Sequence, residues 1–231
     1  MVTFLTVLRS GGRYDAAWVR ALMDSVAAQG FARRAVLTDT PLDVPGVETI
    51  RLAHDWPAWW AKIEAFRPGL AEGPVVLCDL DTLITGDVSC LARPGLTGRL
   101  LAMEDRFLPG RVSTALMRWD GDQLAFLYEA FARAPERWME PGSCGPVPNA
   151  VHGDQVFVDA QLRARDLCPA FVQDLYPGLL DFYLARRGVV GPLTVFVGEV
   201  KPQIGPDGTL VPPPPAASAP AALGRPAYAG G

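Results

Sequence analysis

Apolar and polar positions alternate between two periods along most of the chain. Val2 to Leu8 is a β-rich apolar run that reads as a buried strand. From Tyr14 to Gln29 the apolar residues Ala17, Trp18, Leu22 and Val26 recur at helical spacing, and Gly30 is a natural stop. Short strands follow at Ala35 to Thr38 and Gly46 to Ile50. A helix is expected from Trp56 to Phe66 with Pro57 in its first turn, and then a strongly apolar strand, Pro74 to Cys78. Leu100 to Met103, Val112 to Trp119 and Leu193 to Val197 read as later strands, and Asp122 to Ala134 and Asp154 to Leu162 as later helices. Near-continuous apolar strands alternating with helices predict an α/β fold, a single Rossmann-like domain with a mainly parallel central sheet covered on both faces. Ligands of such sheets bind at the carboxyl ends of the strands. Here those ends are Arg9 and Ser10 after the first strand, Asp39 after the second and Asp79 after the central one.

The alternation stops near Pro202. Gly205-Pro206-Asp207-Gly208, the prolines 212 to 215 and an Ala/Pro/Gly run to Gly231 follow. The expected organisation is a folded domain over residues 1–204 and an extended or disordered Pro/Ala/Gly-rich tail over 205–231. A net charge of −4 without any basic block argues against nucleic acid as a partner. An acidic chain that binds an anion must do so locally, with a metal, a few cations or helix N-termini. Cys78, Cys90, Cys144 and Cys168 fit no zinc spacing and read as free thiols, which suits a reducing cytoplasm. Neither a secretory leader nor a transmembrane stretch is expected.

The strongest chemical signal is Val75-Val76-Leu77-Cys78-Asp79-Leu80-Asp81. A buried strand delivers two carboxylates, two residues apart. In an extended chain they would face the same way and converge on one cation. Close carboxylates repel unless neutralised, and a hard divalent cation such as Mn2+ or Mg2+ neutralises them while bridging phosphates.

This segment resembles the D-x-D motif of retaining glycosyltransferases with an A-type fold, the family of glycogenin and bacterial lipopolysaccharide galactosyltransferases. Other pieces occur in that family's order. Thr6 to Ser10 and Tyr14 match the base- and ribose-supporting strand, and Thr38-Asp39 matches a nucleoside contact. Lys62, in Trp59-Trp60-Ala61-Lys62, matches a donor lysine. Ser113-Thr114-Ala115-Leu116-Met117 resembles the strand whose polar start, here Ser113, borders the donor sugar. Gly153-Asp154-Gln155 resembles the Asp-Gln pair beside the transferred sugar, and Gly198-Glu199-Val200-Lys201-Pro202 resembles a G-x-x-K-P segment whose lysine, here Lys201, binds diphosphate. The resemblance covers residues 2 to 202. It implies a metal-dependent transfer, with retention, from a nucleotide-sugar, by family a UDP-sugar, to an acceptor that is a glycan, lipid or protein. Asp79 and Asp81 would hold the metal. Arg9, Ser10, Tyr14, Asp39, Lys62, Ser113 and Lys201 would bind the donor. Asp154 and Gln155 would act on the sugar.

One position departs from the pattern. The family's metal-binding histidine three residues before the late glycine is Val195 here, and the chain's two histidines are His54 and His152. His152 could substitute from its own loop, whereas His54 reads as a loop cap. Two alternatives follow: a catalytically weak nucleotide-sugar-binding protein of the same fold, and a phosphatase of the haloacid dehalogenase type. The phosphatase also ends a strand in D-x-D but needs a threonine or valine where Leu83 stands. A nucleotidyltransferase is partly imitated by Arg9-Ser10-Gly11-Gly12-Arg13. Trp56 and Trp59 are expected to pack the core side of their helix, a sugar-stacking surface being the alternative for Trp56, Trp59 and Trp60.

Overall fold

The computed structural model describes residues 1–145, 152–184, 188–189 and 191–213. In chain order the regular elements are β1 (Thr3–Leu8), α1 (Ala16–Ser25), β2 (Arg33–Thr38), β3 (Glu48–Arg51), a 3-10 helix (Ala58–Phe66), β4 (Pro74–Cys78) and β5 (Thr82–Ile84), followed after two short 3-10 turns by β6 (Leu101–Glu104), β7 (Val112–Asp120), α2 (Ala125–Ala132), α3 (Pro135–Met139), α4 (Asp154–Arg163), β8 (Ala170–Phe171), α5 (Val172–Leu175), β9 (Leu180–Phe182), β10 (Leu193–Val195), β11 (Gln203–Ile204) and β12 (Leu210–Val211).

Seven strands form the central sheet in the order β3-β2-β1-β4-β7-β6-β8. The pairs β2/β3, β1/β2, β1/β4 and β6/β8 are parallel, and β7 alone runs antiparallel to both of its neighbours. The expected mainly parallel α/β sheet is therefore present. A small sheet, β5-β10-β9, flanks it.

Alternate residues of each strand face opposite sides of a pleated sheet, and this period divides the core in two. Phe4, Leu8, Val36, Val76 and Cys78 join Trp18, Val19, Leu22 and Met23 of α1. Leu5, Ala35, Leu37, Val75 and Leu77 join Trp60, Ile63 and Phe66 of the 3-10 helix, with Phe131 of α2 and Phe157 of α4. Each large apolar side chain buried in this way contributes about 1.5–3 kcal/mol. The helix α1 starts at its Asp15 cap, whose carboxylate accepts from the Ala17 amide at 2.9 Å. All four cysteines are free thiols, and Cys78 is buried.

The ordered chain extends past the expected boundary at residue 204. Gly205-Pro206-Asp207-Gly208 is the turn of a hairpin joining β11 to β12, closed by Gly208 N–H to Gly205 O at 2.9 Å. Proline fits the second position of such a turn, and Gly208 takes a left-handed φ of 82°. Ile204 and Leu210 pack against the core, so the Gly- and Pro-containing segment between them forms a turn rather than the start of the tail. Residues 214–231, the remainder of the expected tail, lie outside the described residues. Among the described residues no helix is long and apolar enough to cross a membrane.

Candidate active site

Because β1, β2 and β4 are parallel, their carboxyl ends lie along one edge of the sheet. Antiparallel β7 brings its first residues to that same edge, with Cys78 opposite Leu116 and Asp79 N–H donating to Ala115 O at 2.9 Å. The β6/β7 register slips between Ala102, opposite Met117, and Met103, opposite Ser113. This frees Thr114 from the ladder with β6 and lets it serve the site. A cavity of about 500 Å3 opens at this edge, lined by residues from the ends of β1 and β4, the 3-10 helix, β7 and the start of α4.

Asp79 and Asp81 both line the cavity. They converge through a turn rather than through strand alternation: Thr82 N–H donates to Asp79 O at 3.2 Å, and buried Leu80 ties the turn to the core. Burial pushes the Asp79 carboxyl up to about 6; Lys62 opposes the rise, and the charges of Asp81 and Asp154 add to it. Lys62 Nζ lies 2.7 Å from Asp79 Oδ1 and 3.0 Å from Asp154 Oδ2. Burial works against the Lys62 charge, but Asp154 and Asp79 more than offset it and hold the ammonium above its ordinary range. Thr114 Oγ1 completes the bridge, accepting from Lys62 at 3.3 Å and donating to Asp154 at 2.6 Å. Asp81 Oδ2 accepts from Tyr14 OH at 2.7 Å and pairs with Lys201 Nζ at 2.7 Å. Burial, then Asp81, raises the Tyr14 phenol, so it stays protonated and donates.

Asp154 opens α4, where a carboxylate suits the helix dipole. The preceding Gly153 has φ 152° and ψ −175°, a region that is essentially restricted to glycine, and a Cβ there would come 3.1 Å from the Trp59 indole nitrogen. Gly153→Ala is therefore expected to cost about 1–3 kcal/mol and to displace Asp154 and Gln155. Urea unfolding checks this, and an unchanged midpoint would count against it.

Arg9, Ser10 and Asp39 form one cluster at the ends of β1 and β2. Arg9 Nη1 lies 2.9 Å from Asp39, and its other nitrogen binds Asp55. Asp39 also accepts from Ser10 N–H at 2.8 Å and from Ser10 Oγ at 2.6 Å. Burial alone would raise the Asp39 carboxyl, but the Ser10 bonds and Arg9 leave it below its ordinary value. Arg9 lines the cavity; Asp39 and Ser10 do not, and in this structure they brace the loop that presents Arg9 and Tyr14. Ser113 is buried beneath the site opposite Met103, and the neighbouring Thr114 lines the cavity instead. Lys201 reaches Asp81 from an adjoining groove that it shares with Arg13.

One tryptophan does not pack the core as expected. Trp56 and Trp60 are buried, but Trp59 is 53% exposed and lines the cavity. The segment is a 3-10 helix, so positions three apart share one ridge. Trp59 and Lys62 face the cavity together, while Trp60, Ile63 and Phe66 face the core. Thr114 stands in the segment 113–117, where Ser113 was the residue expected to serve the site, and Asp105, which accepts from the Gln155 side-chain amide, lies in no sequence motif. Glu64, also unmarked, is fully buried and accepts from the Ala53 and His54 amides at 2.6 and 2.8 Å, fixing the loop that carries Asp55.

Whether the residues suit a divalent cation follows from their chemistry. Two crowded, largely desolvated carboxylates with hard oxygen donors do fit one. Among the described residues no group of three or more His, Cys, Asp or Glu is arranged to hold a metal, so the remaining ligands would have to be phosphate oxygens and water. Val195 is 4% exposed and pairs with Thr82, beside Asp81, where it supplies no ligand. His152 Nε2 is engaged with Met139 O at 2.7 Å and its ring meets Trp60 edge-on. His54 stacks on Trp56 and bonds Tyr128. Leu83, the position that would distinguish a phosphatase, is buried in β5.

No protein-family model matches the sequence, and no curated protein matches it. Solved structures do match the fold. The galactosyltransferase LgtC, in complex with donor and acceptor sugar analogs, aligns with a TM-score of 0.57 at 10% identity over 86% of this chain and 88% of that one. The apo form of glycosyltransferase GlyE from Streptococcus pneumoniae TIGR4 aligns with a TM-score of 0.59 at 13% identity over 86% of this chain, which spans 55% of GlyE. At these identities the likeness is one of fold, and the chain has the Rossmann-like α/β fold also found in the glycosyltransferases LgtC and GlyE.

Proposed function

We propose that the chain is a glycosyltransferase that takes a sugar from a nucleotide-sugar, by resemblance a UDP-sugar, and transfers it with retention to a glycan, lipid or protein acceptor. One observation carries this reading. At the ligand-binding edge of a glycosyltransferase-like fold, one cavity brings together Asp79, Asp81, Lys62 and Asp154, with Lys201 reaching in through Asp81. Acidic and basic groups packed this closely suit a ligand that carries both a diphosphate and a hydroxyl-rich ring.

Asp79 and Asp81 would hold Mn2+ or Mg2+, which when bound would offset charge on the diphosphate. Lys201 would turn from Asp81 toward the diphosphate and stabilise negative charge growing on the leaving group. Lys62 and Asp154 would hold sugar hydroxyls, and Gln155, steadied by Asp105, would sit near the reacting carbon. The bond from the anomeric carbon to the diphosphate oxygen breaks, the acceptor oxygen bonds to that carbon on the same face, and the acceptor proton passes to the departing diphosphate. Asp154, which lines the cavity, is the carboxylate that could act instead as a covalent nucleophile. Its engagement by both Lys62 and Thr114 favours the same-face route.

Thermal shift with a panel of nucleotide-sugars, with and without manganese, tests the reading, because a ligand that binds the folded state raises its melting temperature. One donor should stand out and require manganese, and Asp81→Asn should abolish the manganese-dependent stabilisation while the protein stays folded. No stabilisation by any nucleotide-sugar would overturn the reading. Val195 and the pairing of each carboxylate with a lysine favour a second reading, a weakly catalytic nucleotide-sugar-binding protein. Donor binding without manganese and without turnover would select it.

A further inference from the structure

We propose that Trp59 is the acceptor platform of this site: its indole takes the apolar face of a saccharide ring at the cavity mouth, and its Nε1–H donates to a hydroxyl of that ring. The inference rests on the transferase reading above and adds the class of acceptor recognised. Trp59 is the exception among the three tryptophans of its segment, half exposed while Trp56 and Trp60 are buried. A single exposed ring is ordinary on a protein surface, but Trp59 lies in the wall of the cavity and so is placed to meet what the cavity holds.

Its placement is constrained from two sides. Ala58, just before it, takes a left-handed φ of 48°, which is unfavourable for a residue with a Cβ and sets the direction in which the helix enters. Across the cavity wall, Gly153 leaves room for the indole where any side chain would crowd it. No hydrogen bond to the indole N–H is present among the described residues, so its one polar atom is free for a ligand.

Its position also separates acceptor from donor. Lys62, one 3-10 turn further along the same ridge, reaches the charged floor of Asp79 and Asp154 and is only 14% exposed in its side chain. The floor groups suit the diphosphate and the donor sugar. Trp59, nearer solvent, meets what enters last. Pyranose rings present a face of C–H bonds ringed by hydroxyls, which matches an indole with a free N–H.

The test uses the full chain, the nucleotide-sugar selected by thermal shift, and methyl pyranosides of glucose, galactose and N-acetylglucosamine as acceptors, with Trp59→Ala and Trp59→Phe as variants. For Trp59→Ala the acceptor KM should rise about tenfold, with a much smaller change in nucleotide diphosphate affinity, and Trp59→Phe should recover most of the loss. An unchanged acceptor KM in Trp59→Ala overturns the proposal. So does a loss confined to nucleotide-sugar affinity, which would assign the ring to the donor sugar. If the wild type neither hydrolyses nor transfers from any nucleotide-sugar, the transferase reading fails and the proposal with it, whereas an active wild type and an indifferent variant refute the proposal alone.

Discussion

Asp154→Asn is expected to lower turnover by about two to three orders of magnitude, the range seen when one preorganised electrostatic group is removed, with little change in nucleotide-sugar affinity. The substitution conserves shape, and asparagine can still accept from Thr114, so α4 should keep its start. What is lost is a negative charge held 3.0 Å from Lys62 at the site proposed for the donor sugar. That charge matters most as the sugar becomes cationic in the transition state, so kcat should fall while KM stays nearly constant. Steady-state kinetics with the donor selected by thermal shift would measure this. Full turnover in the variant, or an inverted anomeric configuration in the wild-type product, would remove the mechanism.

Lys62→Met should cost about 3 kcal/mol, the low end for a buried ion pair that loses one partner. Methionine preserves the apolar stem but leaves Asp79 and Asp154 facing each other without the ammonium that touches both. Asp79 is partly open to solvent, which keeps the cost from the upper end of the range. In a chain of this length the loss corresponds to a melting temperature lower by roughly 10 °C. Manganese should restore part of it by neutralising the same carboxylates. A melting temperature within about 2 °C of wild type would show that Lys62 is a surface lysine whose partners are solvated.

Both predictions concern residues marked in the sequence by resemblance, whereas the elements that carry them are legible for a local reason. Apolar runs of period two and amphipathic stretches of helical period are consequences of burial, which acts on every residue of an element. The strands β1, β2, β4 and β7 and the helices α1 and α4 were therefore legible. So was the edge at which the cavity opens, because it follows from strand direction. Asp79 and Asp81 stood out because charge at the end of a run as apolar as Val75 to Cys78 needs a reason. Turn chemistry was less legible: Gly205 to Gly208 reads as the start of a Pro/Ala/Gly-rich tail, yet Ile204 and Leu210 on either side pack against the core and dock a hairpin.

The chain by itself determined the elements, their order and the carboxylates that terminate the central strand, since each depends on neighbours within a few residues. Tertiary structure alone decided which charges meet. Lys62, Asp79, Thr114 and Asp154 lie far apart in sequence and converge because a parallel strand, an antiparallel strand with a register slip, a 3-10 helix and a helix N-terminus share one sheet edge. It likewise decided that Asp39 braces Ser10 and Arg9, that Thr114 rather than Ser113 reaches the cavity, and that Trp59 faces solvent. In the last case the cause is a helix of three residues per turn where a spacing of 3.6 was expected. That difference rotates one tryptophan out of the core and onto the wall of the site.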